Sequence, residues 1–194
     1  MSLHRRDVVQ ALLQDRGDLL VVAGLGSTAW DCTAAGDHPL TFPMWGAMGC
    51  ATMIGLGLAL AQPARRVLVI TGDGEMLMGL GSLATIGVQK PDNLCVVVID
   101  NERYGATGMQ ETHTAHGVDL AAMARAAGFV SGLLLRDAAG VAALRKAIHE
   151  TAGPHFAQVK VVAEKIPLVL PPREGALLKT RFRAALLGSA ANTE

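Results

Sequence analysis

Three short runs of this chain, residues 19–23, 67–70 and 94–99, are apolar at every position. A strand with one face in water alternates apolar and polar residues, whereas one apolar throughout needs cover on both faces, as in a parallel sheet. Gly, Pro or Asp bounds each run. Residues 46–60 and 76–87 are long enough to be crossover helices, so the chain reads βαβαβ at its centre. Before it, Val8, Val9, Leu12 and Leu13 lie at helical spacing in residues 3–16, ending at Gly17. After it, helices are predicted at 118–127, 138–151 and 176–187, with strands at 129–135 and 156–162. The expected fold class is α/β, a doubly wound, mainly parallel sheet with helices on both faces. With 51% hydrophobic residues in 194, residues 1–194 form one expected domain, residues 165–194 being its C-terminal extension.

Charge and cysteines narrow the function. Seventeen basic and seventeen acidic side chains cancel, so nothing favours nucleic acid or an anionic membrane. The three cysteines are scattered, with no C-x-x-C pair, which argues against disulfides, a zinc knuckle or an iron–sulfur site. The first eighteen residues are amphipathic, and the apolar run at 47–61 is glycine-interrupted and shorter than a membrane span. A cytoplasmic protein with small-molecule or protein partners is expected.

Open α/β sheets bind ligands beyond the carboxyl ends of their strands. Gly72-Asp73-Gly74 follows one apolar run and Asp100-Asn101 follows the next, so both emerge on that edge. Glycines at 72 and 74 let backbone approach a ligand closely, and a helix expected to begin near Glu75 would aim N–H groups at a phosphate. An aspartate beside a phosphate requires a cation between them. Mg²⁺ suits, because it takes hard oxygens and is held by one or two protein groups together with phosphates. Each residue alone has a plainer reading: Asp73 as a helix cap, Asn101 as a turn residue, Met48 as core filler.

The pair Gly72-Asp73-Gly74 and, twenty-five residues on, Asp100-Asn101 resembles the diphosphate and metal motif of thiamine-diphosphate enzymes. The likeness runs upstream through Trp45-Gly46-Ala47-Met48-Gly49. It implies that the Gly46 carbonyl meets the 4′-amino group of the cofactor and that Met48 wedges the cofactor into a V. It also puts Gly26 and Ser27, in Gly24-Leu25-Gly26-Ser27, on the diphosphate tail. The segment after Asn101 resembles more narrowly the small β subunit of sulfopyruvate decarboxylase and phosphonopyruvate decarboxylase. That likeness makes Asp73, Asn101 and the main-chain oxygen of Arg103 the metal ligands, with Gly72, Gly74, Glu75, Tyr104 and Gly105 on the cofactor. Glu75 stands where many relatives have Ser or Ala; its carboxylate is expected to turn from the phosphate, leaving its N–H as the contact. Asp100 in place of a first Asn is expected to matter little.

Further expectations come with the resemblance. The glutamate that activates the pyrimidine ring has no counterpart here, so the chain is expected to be half of an enzyme. It would need a pyrimidine-binding α subunit, assemble as a hetero-oligomer (αβ)n, and decarboxylate a small 2-oxo acid such as a sulfonate or phosphonate. His113 is the candidate proton donor to the product, and Gln110 a contact to diphosphate or substrate. Tyr104-Gly105-x-Thr107-Gly108-x-Gln110 also resembles the β subunits of 2-oxoacid:ferredoxin oxidoreductases, which carry the clustered cysteines this chain lacks. A carboligase, a regulatory phosphate-binding module and a domain cut from a longer protein are the other readings.

Overall fold

The computed structural model describes residues 2–192; residues 1, 193 and 194, the ends of the expected domain and extension, lie outside them. Among the described residues the strands are β1 (Leu20–Ala23), β2 (Thr41–Pro43), β3 (Val67–Gly72), β4 (Leu94–Asp100), β5 (Arg103–Tyr104), β6 (Gln110–Glu111), β7 (Ser131–Leu135) and β8 (His155–Lys160). The helices are α1 (Arg5–Leu13), α2 (Ser27–Ala34), α3 (Ala51–Ala61), α4 (Asp73–Met78), α5 (Ser82–Gln89), α6 (Leu120–Ala127), α7 (Ala138–Glu150) and α8 (Gly175–Leu187). Six strands make one sheet in the order β2-β1-β3-β4-β8-β7, with every neighbouring pair parallel. β5 and β6 form a separate antiparallel hairpin.

The three apolar runs become β1, β3 and β4, and the reason is visible in the packing. Alternate residues point to opposite faces of a strand. Leu20, Val22, Val67, Val69, Val96 and Val98 join one apolar cluster with Leu56 of α3, Ile86 of α5 and Leu120 of α6. Val21, Leu68, Ile70, Val97 and Ile99 join the other with Leu12 of α1, Cys32 of α2 and Leu144 of α7. The sheet is thus covered on both faces. The edge strand β2 is protected by α8, whose Phe182 meets Phe42 edge to face at 5.7 Å between ring centroids. No helix of the described residues is long and apolar enough to cross a membrane.

Three local expectations are corrected. The helix predicted at 46–60 starts only at Ala51, because Ala47 and Gly49 take left-handed backbones, φ 59° and 94°. The helix predicted at 76–87 is two helices, α4 and α5, and it opens at Asp73 rather than near Glu75. The break at Gly79 lets backbone touch backbone: a Cβ there would lie 2.2 Å from the Gly49 carbonyl oxygen. The link between β1 and β3 is also more than one crossover, since α2 and the three-residue β2 intervene. From β1 the chain runs outward to β2 and then returns past β1 to β3. The carboxyl ends of β1 and β3 are therefore a switch point, where loops diverge and leave a crevice.

Candidate functional site

A cleft of about 170 Å³ opens at that switch point. Gly26, Ser27, Met48, Gly72, Asp73, Gly74, Glu75, Asn101, Arg103, Tyr104 and Gly105 all line it, whereas Gly46 and His113 do not. Residues scattered over eighty positions are gathered because β1, β3 and β4 are adjacent and end on one edge. Gly46 is exposed in the turn before α3, and His113 is exposed on a 3-10 turn, His113–His116. Gln110 is exposed and bonded to Thr107, its Nε2 donating to the Thr107 carbonyl at 2.9 Å.

Asp73 sits at the start of α4 but does not cap it: the cap residue is Gly72, with no side-chain cap hydrogen bond. Its carboxylate is buried at 2% exposure. Oδ2 accepts from the Thr112 hydroxyl at 2.5 Å and lies 3.3 Å from that of Thr114. Among the described residues no side chain donates to Oδ1. Burial, with Asp100 nearby, pushes the Asp73 pKa up to about 6 against the pull of the threonine hydroxyls. An ionisable group kept buried, with one oxygen free of side-chain donors among the described residues, has the character of a ligand.

Asn101 closes a turn in which its Oδ1 accepts from the Arg103 N–H at 3.0 Å. The Thr112 N–H donates to the Glu102 carbonyl at 3.0 Å, which makes the facing residues Arg103 and Glu111 a non-hydrogen-bonded pair of the hairpin. The Arg103 carbonyl consequently points away from β6. Ala47, Glu102 and Met109 hold left-handed backbones, φ 59°, 62° and 64°, all in segments that border the cleft. Such strain in residues other than glycine concentrates at working sites.

Glu75 is buried, and its carboxylate turns inward rather than into open solvent. Oε2 accepts from the Leu25 N–H at 2.9 Å and the Thr71 hydroxyl at 2.8 Å. Oε1 has no hydrogen-bond partner among the described residues, and the Gly49 and Ala51 N–H groups face the carboxylate. Burial raises its pKa, and the Thr71 and backbone contacts oppose the rise. This one side chain ties the loop after β1, the end of β3 and the turn before α3 into a single cradle. The Tyr104 ring packs on Gly74, where a Cβ would lie 2.4 Å from the ring.

Arg5, the first residue of α1, was not signalled by any motif, yet it lines the cleft. Its Nη1 donates to the Ser27 carbonyl at 3.3 Å and pairs with Asp31, which also accepts from Arg6 Nε at 3.2 Å. Two guanidinium groups on one buried carboxylate leave net positive charge behind the Gly26-Ser27 loop. A basic residue at a helix start was the only sequence sign of it.

No cluster of three or more His, Cys, Asp or Glu side chains among the described residues has metal-binding geometry. A metal here would need oxygens from elsewhere, and the donors on the cleft are hard: a carboxylate, a carboxamide and a carbonyl. They fit Mg²⁺ shared with phosphate, and they do not fit a site built wholly of protein side chains.

The profile of the family described as thiamine pyrophosphate enzyme, C-terminal TPP binding domain, matches residues 25–159. Sulfopyruvate decarboxylase subunit beta of Methanothermobacter thermautotrophicus is 43% identical over 129 residues, covering 66% of this chain and 69% of that one. The subunit beta of Methanococcus maripaludis is 36% identical over 195 residues, covering 96% of this chain and 99% of that one. The crystal structure of benzoylformate decarboxylase from Polynucleobacter necessarius superimposes with a TM-score of 0.72 at 20% identity, over 87% of this chain and 35% of that one; it shares the fold. The chain belongs to the thiamine pyrophosphate enzyme family, as a C-terminal-type TPP-binding domain.

Proposed function

We propose that this chain, a single domain, is the diphosphate- and Mg²⁺-binding subunit of a thiamine-diphosphate-dependent decarboxylase of a small 2-oxo acid, a sulfonate or phosphonate among the candidates. The observation that carries the reading is that Asp73, Asn101 and Arg103, whose carbonyl is turned away from β6, all line one cleft at the switch point of the sheet. These three hold Mg²⁺ on the diphosphate. Gly26, Ser27, Gly72 and Gly74, with the Glu75 N–H, bring backbone against the phosphates, and the Arg5 and Arg6 pair adds positive potential behind them. Met48, with Gly46 beside it in sequence, would support the bend of the cofactor, and Tyr104 and Gly105 line the same cleft. When bound, the cofactor supplies a thiazolium ring that accepts the electron pair left as carbon dioxide departs.

The cleft is half a pocket. Its volume of about 170 Å³ falls below the roughly 300–1,000 Å³ of ordinary ligand sites. Trp45, Met53 and Met78, on segments bordering it, are exposed, as suits a face that a second subunit covers. That partner, a pyrimidine-binding α subunit in a cytoplasmic (αβ)n assembly, contributes the activating glutamate. His113 reaches the product only from the rim, once the partner has closed the site.

Calorimetry of thiamine diphosphate with the full chain, with and without Mg²⁺, tests the site. Binding that requires Mg²⁺ and vanishes in Asp73→Ala is expected; equal binding by the variant would overturn the reading. Decarboxylation should appear only on addition of the partner. Turnover by this chain alone would refute the split-site part.

A further inference from the structure

We propose that Thr112 is a positioning residue for the metal ligand Asp73: its hydroxyl holds Oδ2, so that Asp73 offers Mg²⁺ a single oxygen. The inference rests on the Mg²⁺–diphosphate reading of the cleft and adds to it a residue, in the segment after Asn101, to which the sequence assigned no role.

The hydrogen-bond arithmetic singles out Thr112. A hydroxyl has one proton to give. The Thr112 and Thr114 oxygens are 2.9 Å apart, and between them they face two carboxylates. Thr112 is 2.5 Å from Asp73 Oδ2, whereas Thr114 is 2.7 Å from Asp100 Oδ1 and 3.3 Å from Asp73 Oδ2. Giving each proton to its shorter contact, Thr112 donates to Asp73 and Thr114 donates to Asp100. Asp73 thus has one firm side-chain donor, on one oxygen.

The donor is itself held rigidly. Thr112 is buried at 1% exposure, and its N–H is fixed on the Glu102 carbonyl at the base of the hairpin. Behind Thr114, Asp100 is anchored by Gln158 Nε2 at 2.6 Å and by Lys160 Nζ at 2.8 Å; the same ammonium reaches Glu102 at 2.6 Å. The chain of contacts therefore runs from the end of β8 through the end of β4 to the first residue of α4. One accepted hydrogen bond leaves Oδ2 a lone pair but fixes the orientation of the carboxylate and weakens that oxygen as a donor, which favours ligation through Oδ1 alone. Mg²⁺ demands near-ideal octahedral geometry, while Ca²⁺ accepts carboxylates through both oxygens in looser arrangements. Thr112 accordingly favours Mg²⁺.

The test uses the full chain, thiamine diphosphate, and separate Mg²⁺ and Ca²⁺ titrations followed by calorimetry. In Thr112→Val the Mg²⁺ needed for half-maximal cofactor binding should rise about 10- to 100-fold, the usual effect of removing an outer partner of a ligand. The Ca²⁺ requirement should rise less, narrowing the preference between the metals, and Thr112→Ser should restore both. Equal loss with the two metals, or no loss, would overturn the proposal, since a merely structural threonine has no means of telling them apart. If Thr112→Val does not fold, Thr112→Ala, which also lacks the hydroxyl, carries the same comparison. Asp73→Ala separates the two levels of argument: if it leaves metal-dependent binding intact, the site reading fails. If it abolishes binding while Thr112→Val keeps the metal preference, only the present inference fails.

Discussion

Asp73→Asn should make the metal-free chain more stable at neutral pH while removing Mg²⁺-dependent cofactor binding. The side chain is buried, and its pKa is raised from 3.8 to about 6. Holding it ionised therefore costs the folded state about 3 kcal/mol at pH 7.5. The sign follows from proton counting. Between about pH 4 and 6 the folded chain keeps a proton that the unfolded chain has lost, so stability falls as pH rises through that window and stays low above it. Asparagine is neutral at every pH and can accept from Thr112 as before, but its amide protons enter a buried setting at a cost of about 1 kcal/mol or more. A net gain of about 1–2 kcal/mol at pH 7.5 remains, or about 2–8 °C in Tm for a chain of this size. The assay is thermal or urea unfolding of both proteins in chelator at pH 7.5 and pH 4.5. At the lower pH wild-type Asp73 is itself protonated, so the advantage should vanish or reverse. A variant less stable than wild type at pH 7.5, or a difference that ignores pH, would refute the reasoning and return Asp73 to an ordinary structural role.

Gly87→Ala should destabilise the chain by about 1–3 kcal/mol or more, because a Cβ at Gly87 would lie 1.7 Å from the Ala127 carbonyl oxygen and force α5 from the end of α6; urea unfolding measures it, and a loss below about 1 kcal/mol would contradict the packing. His113→Ala, on an exposed turn outside the cleft, should change stability by less than about 0.5 kcal/mol and leave Mg²⁺-dependent binding unaltered in calorimetry. Weakened binding would place that ring against the cofactor.

What the sequence made legible was whatever local pattern determines. Residues 67–70 and 94–99 are apolar on both faces, a property only a covered sheet satisfies, so β3 and β4 were readable, and with them the edge where Asp73 and Asn101 emerge. The split of residues 76–87 was less readable, because both halves carry apolar residues at helical spacing; the two glycines at 79 and 81 were its trace. β2 has three residues, one of them proline, too few for any period to register. Arg5 and Thr112 join the site only through folding, Arg5 by pairing with Asp31 across 26 positions and Thr112 by reaching Asp73 across 39. No spacing rule links such residues. Only the strand order brings them together.

The three buried acids at this rim show why a carboxylate count cannot find the ligand. Asp100, expected to be a minor departure from asparagine, is fully buried and saturated: Thr114, the Glu102 N–H, Gln158 and Lys160 all bond to it. Lys160 is its direct neighbour across β4 and β8, so charge on one strand end is matched by charge on the next, and Asp100 has nothing left to offer a metal. Glu75 spends its Oε2 on Leu25 and Thr71 and shapes the cradle. Among the described residues Asp73 and Glu75 both combine burial, no cation in contact and an oxygen without a side-chain donor, but the Glu75 carboxylate is held among the backbone N–H groups of Leu25, Gly49 and Ala51, whereas Asp73 stands between the two cleft glycines. A buried negative charge in that condition destabilises the metal-free fold by a few kcal/mol, a cost that a bound cation offsets. A divalent ion carried by a diphosphate would offset that cost, which is why the aspartate between the two glycines, rather than its equally buried neighbours, is the residue on which binding should turn.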